Sequence, residues 1–175
     1  MPTHRSCIIA SMPHTPDPVP GGARTTDARL FSEDEATAFL GLIRAGAALE
    51  RALDRGLADR EGMGLHEFEV LLFLAGSPSG DSLRMTELRR RTPLSQSRVS
   101  RVVSGLEVRG LVRREADPSD SRAVTVVLTD QGRATFEGAR PHHVRDLHEN
   151  LLSILTEVEI RQLARITTKL LASAQ

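Results

Sequence analysis

Within nine residues, Gln96 to Ser104, the chain carries an amide, three hydroxyls and two guanidinium groups: Gln96, Ser97, Arg98, Ser100, Arg101 and Ser104. Between them Val99, Val102, Val103 and Leu106 recur at spacings of three and four, which predicts one helix with an inward apolar stripe and the polar groups on its other faces. Such a face has a definite chemistry. An α-helix fits the major groove of B-DNA, where Arg pairs with guanine O6/N7 and Gln with adenine N6/N7. Ser95, Ser97 and Ser100 are short enough to meet phosphates or bases. The ordinary alternative is a solvated polar face, and for an isolated helix that would be the better reading. What stands before and after the helix decides between them.

Before it, Thr86 can cap a short helix through Glu87, Leu88 and the basic run Arg89-Arg90-Arg91. Pro93 ends that helix, because the residue before a proline is pushed out of the α region. Ser95 then caps the second helix, predicted from about Gln96 to Arg109, and Gly110 occupies the position of a left-handed terminating glycine. After it, Leu111 to Glu115 and Ala123 to Leu128 read as strands, joined by the turn formers of 116–122. Leu83 to Met85 adds a short strand. In the hairpin tip Asp120 can orient the guanidinium of Arg122, and an Arg at such a tip suits a narrow, strongly negative minor groove. A surface Asp–Arg pair of little consequence is the competing reading. Two short helices, a tight connection and a hairpin, in that order, make a winged helix-turn-helix.

The run from Leu88 through Gly132 resembles the MarR family of winged-helix transcriptional regulators. The resemblance is carried by GLEVRGLVRR at 105–114, DPSDSRA at 117–123 and LTDQG at 128–132. Each piece alone is weak, but the three in this order are specific. The likeness extends more loosely from about Glu33 to the end of the chain and fails over the first thirty residues. It implies that Gln96, Ser97, Arg98 and Arg101 lie on a recognition helix and Asp120 and Arg122 on the wing. It further implies a homodimer on an inverted-repeat (palindromic) DNA operator, most often as a repressor, with a ligand cleft between the dimer helices and the DNA-reading lobe. Arg44, Arg51, His66 and Glu69 are the polar groups available to that cleft, where a charge must pair or line a cavity; a satisfied buried ion pair is the more ordinary explanation of them. The chain departs from the family at Arg89, where a small residue is usual, and it has none of the Trp residues expected of a urate-responsive member.

Composition narrows the field. One hundred and seventy-five residues suit one domain with appended helices. With five Phe, no Trp and no Tyr, the core must be aliphatic. The net charge is zero, yet residues 83–122 hold ten Arg against five acids, a local +5 that leaves −5 for the remainder. A basic stretch on an acidic body aims a molecule at phosphates without general stickiness. A single cysteine, Cys7, allows no disulfide framework within the chain and sits in a stretch poorly suited to redox sensing. No apolar run approaches the roughly 18 residues of a membrane span, and Cys7 to Ala10 is too short for a signal segment, so a cytoplasmic protein is expected.

The rest of the chain reads as a mount for this reader. Residues 1–30 hold five of the nine prolines and read as a flexible N-terminal arm. Residues 31–60 open on a capping box, Ser32 with Glu35, and continue as a long helix with apolar stripes through Leu42, Leu49, Leu53 and Leu57 and through Phe39, Ile43 and Ala47. Residues 61–130 hold the DNA-binding domain, including a nearly apolar helix at Leu65–Ala75. Residues 131–175 supply C-terminal helices: one from Thr129 toward Asn150, which Pro141 should kink or split, and one from the second capping box, Thr156 with Glu159, to about Ser173. Amphipathic helices at both ends are surplus to a lone winged helix, and pairing them with a second copy makes a dimerisation region.

The fold class expected is therefore mainly α with a small β-wing. His142, His143, Asp146, His148 and Glu149 form the one set resembling metal ligands, but Pro141 disturbs their turn and no cysteine joins them, so no metal or other cofactor is expected. Phosphate loops, nucleophile motifs and HExxH are all missing, which argues against an enzyme. The rival reading is a winged-helix protein-interaction module without a DNA target.

Overall fold

The structure, a computed structural model, describes residues 31–117 and 120–173, and of Ser121 and Arg122 the backbone alone. The N-terminal arm with Cys7 and the wing tip at Pro118 and Ser119 therefore lie outside the described residues. Six α-helices and three strands follow in the order α1 (Glu33–Glu61), α2 (Leu65–Ala75), β1 (Ser82–Arg84), α3 (Met85–Arg91), α4 (Gln96–Val108), β2 (Val112–Asp117), β3 (Asp120–Leu128), α5 (Asp130–Leu147) and α6 (Glu157–Ser173). The fold is mainly helical with one small antiparallel sheet, the winged helix-turn-helix that the sequence predicts.

Local chemistry sets the helix ends. The Ser32 hydroxyl accepts from the Glu35 backbone N–H at 3.2 Å, and the Glu35 carboxylate accepts from the Ser32 N–H at 2.7 Å. Those bonds to the charged form hold Glu35 below the usual carboxylate range, and Thr156 does the same for Glu159 at the start of α6. Gly62, at φ 60°, ends α1. Behind α4 the N–H of Gly110 reaches the Glu107 carbonyl and that of Leu111 the Leu106 carbonyl, with Gly110 at φ 70°; this is a complete Schellman motif.

α2 is the central element. Leu65, Phe68, Val70, Leu71 and Leu74 are buried, and they meet Leu53 and Leu57 of α1, Val99, Val103 and Leu106 of α4, Val126 of β3 and Phe136 of α5 in one core. The core is aliphatic apart from Phe68 and Phe136, whose rings lie 5.4 Å apart. In the sheet β3 is the middle strand, antiparallel to both neighbours: Ser82–Arg84 of β1 face Val127–Thr125, and β2 pairs with β3 at Val124–Leu128 and again at Asp120.

Three expectations need correction. Thr86 is not the cap of α3 but lies in its first turn, because β1 runs straight into the helix and the extended Arg84 (φ −60°, ψ 143°) takes the cap position. The hairpin's strands extend much further than 111–115 and 123–128: Ala116 pairs with Val124 and Asp117 with Asp120, with a register shift between Ala116 and Asp117, so the turn formers of 116–122 are largely strand. Pro141 does not split its helix, for α5 runs unbroken to Leu147. Pro141 and Glu137, whose carbonyl loses its N–H partner, are both exposed, so water can take the vacant place. Helical geometry changes only later, where His148–Leu152 form a π-helical turn before α6.

α6 buries no residue in the single chain. Between it and α1 runs an apolar groove of about 540 Å³, walled by Leu42, Ala45 and Leu49 on one side and Leu151 and Leu163 on the other. No helix among the described residues is long and apolar enough to cross a membrane.

Candidate nucleic-acid interface

α4 turns Val99, Val103 and Leu106 into the core and leaves Gln96, Ser97, Arg98, Ser100, Arg101 and Ser104 exposed, the division that the helical spacing predicts. Ser95 holds the N-cap backbone conformation, but its hydroxyl makes no cap bond; it lies 3.2 Å from the Ser97 hydroxyl at the surface. The free N–H groups of this helix start and two hydroxyls are thus presented together, an arrangement that suits a phosphate oxygen. Arg101 Nε donates to the Ser97 carbonyl at 3.5 Å, so its guanidinium lies back along the exposed face.

Two grooves flank this face. One, of about 430 Å³, is walled by Thr86, Arg89 and Arg90 of α3 and by Leu94, Ser95 and Gln96. Arg89, where the family has a small residue, does not wedge the two helices apart; it is exposed on that wall. The other, of about 250 Å³, separates Gln96 and Ser100 from Ala123 and Val124 of the wing, with Arg84 and Arg89 on its rim. The wing and the helix thus stand side by side with cations between them.

The wing is tied to the helix from behind. The Arg114 guanidinium binds the Glu107 carboxylate and donates at 3.1 Å to the Ser100 carbonyl and at 3.0 Å to the Ser104 hydroxyl. Arg84 forks onto Asp117, Nε to Oδ2 at 2.7 Å and Nη2 to Oδ1 at 3.1 Å, which raises the Arg84 pKa above its ordinary value, first through that hydrogen bond. Asp120, expected to orient Arg122, sets its charge near Arg84 as well; the Arg122 side chain is outside the described residues. Sequence reasoning missed Arg84, Arg89 and Asp117 as parts of this surface. Arg84 and Asp117 are 33 residues apart, and no spacing rule links them. For Arg89 the signal was the Arg run itself.

The polar groups singled out for a ligand cleft divide. His66 and Glu69 line a cavity of about 450 Å³ between α1, α2 and the start of the helix-turn-helix, walled by Leu49, Leu53 and Leu94. His66 Nδ1 lies 3.0 Å from Glu69 Oε2, and Nε2 lies 3.7 Å from Glu50 Oε1. Arg44 and Arg51 are exposed on α1 and do not line it; Glu50 and Arg98 do. The histidine-rich set on α5 and the π-helical turn after it is dispersed: His142 Nδ1 meets Glu61 at 2.5 Å, Asp146 pairs with Arg60, and the His143 ring lies tilted against Phe68, centroids 4.4 Å apart. Among the described residues no three His, Cys, Asp or Glu side chains converge as metal ligands.

Comparison with known proteins gives this geometry a lineage. A family model described as MarR family matches residues 61–123. The HTH-type transcriptional repressor MdtR of Bacillus subtilis is 32% identical over 105 residues, covering 60% of this chain and 67% of that protein. The transcriptional repressor MprA of Escherichia coli is 31% identical over 103 residues, 59% of this chain but only 58% of its own length. Among solved structures, Sco3205 of Streptomyces coelicolor, a MarR family transcriptional regulator in complex with DNA, superposes with a TM-score of 0.79 at 34% identity, covering 83% of this chain and 94% of that one. AbsC, another MarR family regulator from the same organism, gives 0.78 at 28% identity, covering 84% and 98%. On these likenesses and on the helix-and-wing geometry alike, the chain belongs to the MarR family of winged-helix transcriptional regulators.

Proposed function

We propose that this chain is a homodimeric, sequence-specific DNA-binding regulator, acting as a repressor on a palindromic operator in the cytoplasm. The observation that carries the reading is the exposed polar face of α4 standing beside the wing across a cation-rimmed groove. In this reading Gln96, Ser97, Arg98 and Arg101 read bases in the major groove, Ser95 and Ser100 hold phosphates, and Arg122, oriented from Asp120, enters the adjoining minor groove. Sco3205, a relative over most of its length, was crystallised with DNA, and MdtR and MprA are named repressors. A twofold dimer would set two α4 helices about 34 Å apart, one turn of B-DNA, so the target is an inverted repeat.

The cavity holding His66 and Glu69 is the place for a small-molecule effector, because α1 of the dimer region and Arg98 of the reading helix share its wall. An occupant there would rotate one against the other, and a small rotation spoils registration with two successive grooves. Binding rather than catalysis is the activity proposed.

Selection of DNA from a random pool, followed by binding to the selected duplex across a salt titration, tests the reading. Arg122→Ala is expected to weaken binding by about 1–3 kcal/mol and to flatten the salt dependence, with dimerisation unchanged. An interaction module without a DNA target would select nothing and show no salt-dependent shift.

A further inference from the structure

The wing has a mechanical weakness. β1 is three residues long and supports β3 only at Thr125–Val127, so among the described residues the outer backbone of the hairpin, at 116–117, 120 and 124, pairs only strand to strand between β2 and β3. A two-stranded ribbon of this kind is marginally stable and twists easily. Its register also shifts between Ala116 and Asp117, which loosens it where it leaves the sheet.

Asp117 sits at that shift. It is 9% exposed on a hairpin where its neighbours Glu115 and Asp120 face water. A buried carboxylate requires partners, and it has them: both oxygens accept from the Arg84 guanidinium, at 2.7 and 3.1 Å, and Thr125 Oγ1 donates to Oδ2 at 3.3 Å. Arg84 is the last residue of β1 and the cap position of α3, so its backbone belongs to the helix-turn-helix while its side chain reaches the outer hairpin. It also stands on the rim of the groove between the wing and Gln96 and Ser100.

We infer that Arg84 and Asp117 form a clamp that fixes the angle of the outer wing to the reading helix, which makes Arg84 a positioning residue for the wing's contact with DNA. The inference rests on the DNA-binding reading above. A planar fork on two carboxylate oxygens fixes direction as well as distance, so Lys, a point charge, cannot replace it.

The test measures affinity for duplex selected by the wild-type chain, using Arg84→Lys and Asp117→Asn, each alone and combined with Arg122→Ala. Each single change is expected to weaken binding about tenfold, and to change it by less than about twofold once Arg122 is gone, because the clamp acts through the wing. Thermal melting monitors the fold of each variant. Equal losses in both backgrounds overturn the clamp, as does unchanged affinity. Tighter binding by Asp117→Asn also overturns it, for Arg84 would then be a phosphate contact in its own right. Without DNA, Arg84→Lys is expected to speed amide hydrogen exchange at 120–124 but not in α4. Unchanged exchange sinks the clamp whatever happens with DNA, whereas a wild-type chain that selects no duplex sinks the DNA-binding reading instead.

Discussion

A single methyl group is enough to probe the joint between the wing and the last long helices. Gly132 lies in the first turn of α5, where a Cβ would overlap the backbone carbonyl oxygen of Leu111 and come within 2.8 Å of Leu128 Cδ1. The carbonyl cannot step aside, because it accepts from both the N–H and the hydroxyl of Thr129. Gly132→Ala is therefore expected to destabilise the protein by about 1–3 kcal/mol, read as a lower melting temperature. His143 makes a prediction of a different kind. Its ring lies against Phe68, its Nδ1 is buried without a hydrogen-bond partner, and burial lowers its pKa from 6.5 against the opposing charges of Asp146 and Glu69. A histidine with a depressed folded-state pKa stays neutral when folded while the unfolded chain takes up a proton, so its contribution is intact above about 6.5 and lost as the pH falls through the folded value. Melting temperatures measured from neutral to mildly acidic pH should fall more steeply for wild type than for His143→Phe. If the two profiles run parallel, acid sensitivity arises elsewhere.

Elements built on near-neighbour rules were legible from the residues alone. Both capping boxes, the inward valines of α4, the Gly110 stop and the span of α2 depend on contacts within a few residues, and each stands as the spacing predicts. What the sequence concealed depends on partners far along the chain. The start of α3 is set by β1, which exists only because β3 lies beside it, and the clamp at Asp117 needs an arginine from another strand. Arg98, a base contact by its place on α4, also lines the cavity with His66, which no helical wheel reveals. Of the two effects expected of Pro141, a kink or a split, the split does not occur: a proline breaks a helix when nothing replaces the lost bond, and here the face is wet. Since α5 continues through it, Pro141→Ala should restore an N–H to the Glu137 carbonyl within a helix that is already continuous. The expected gain is about 1–3 kcal/mol, seen as a higher melting temperature. A loss of stability would mean that the ring itself supports packing beside Arg140 and His142.

At the scale of the molecule the tension is an apolar surface that none of the described residues covers. Phe39, Leu42 and Ile43 on α1 are each more than half exposed, and on α6 Ile166 is 49%, Leu170 45% and Leu171 68% exposed. α6 has a capped start and an amphipathic face but no buried residue, and a helix of 17 residues gains most of its stability in water from burying such a face. In the proposed homodimer a second copy of the chain would cover it, since one twofold axis would lay α1 and α6 of each protomer against their mates and also double the reading heads. Ile166→Asp combined with Leu170→Asp puts two unpaired carboxylates into that contact without touching α4 or the wing. Sedimentation should then show a monomer, far-ultraviolet circular dichroism should lose helix equivalent to part of α6, and affinity for a two-half-site duplex should fall by about 10²–10⁴ as the second head ceases to be tethered. Affinity for a single half-site should barely change, which separates loss of tethering from loss of the reader. A double variant that remains dimeric with its full affinity would place the interface on another face, and the apolar surface of α1 and α6 would need a different occupant.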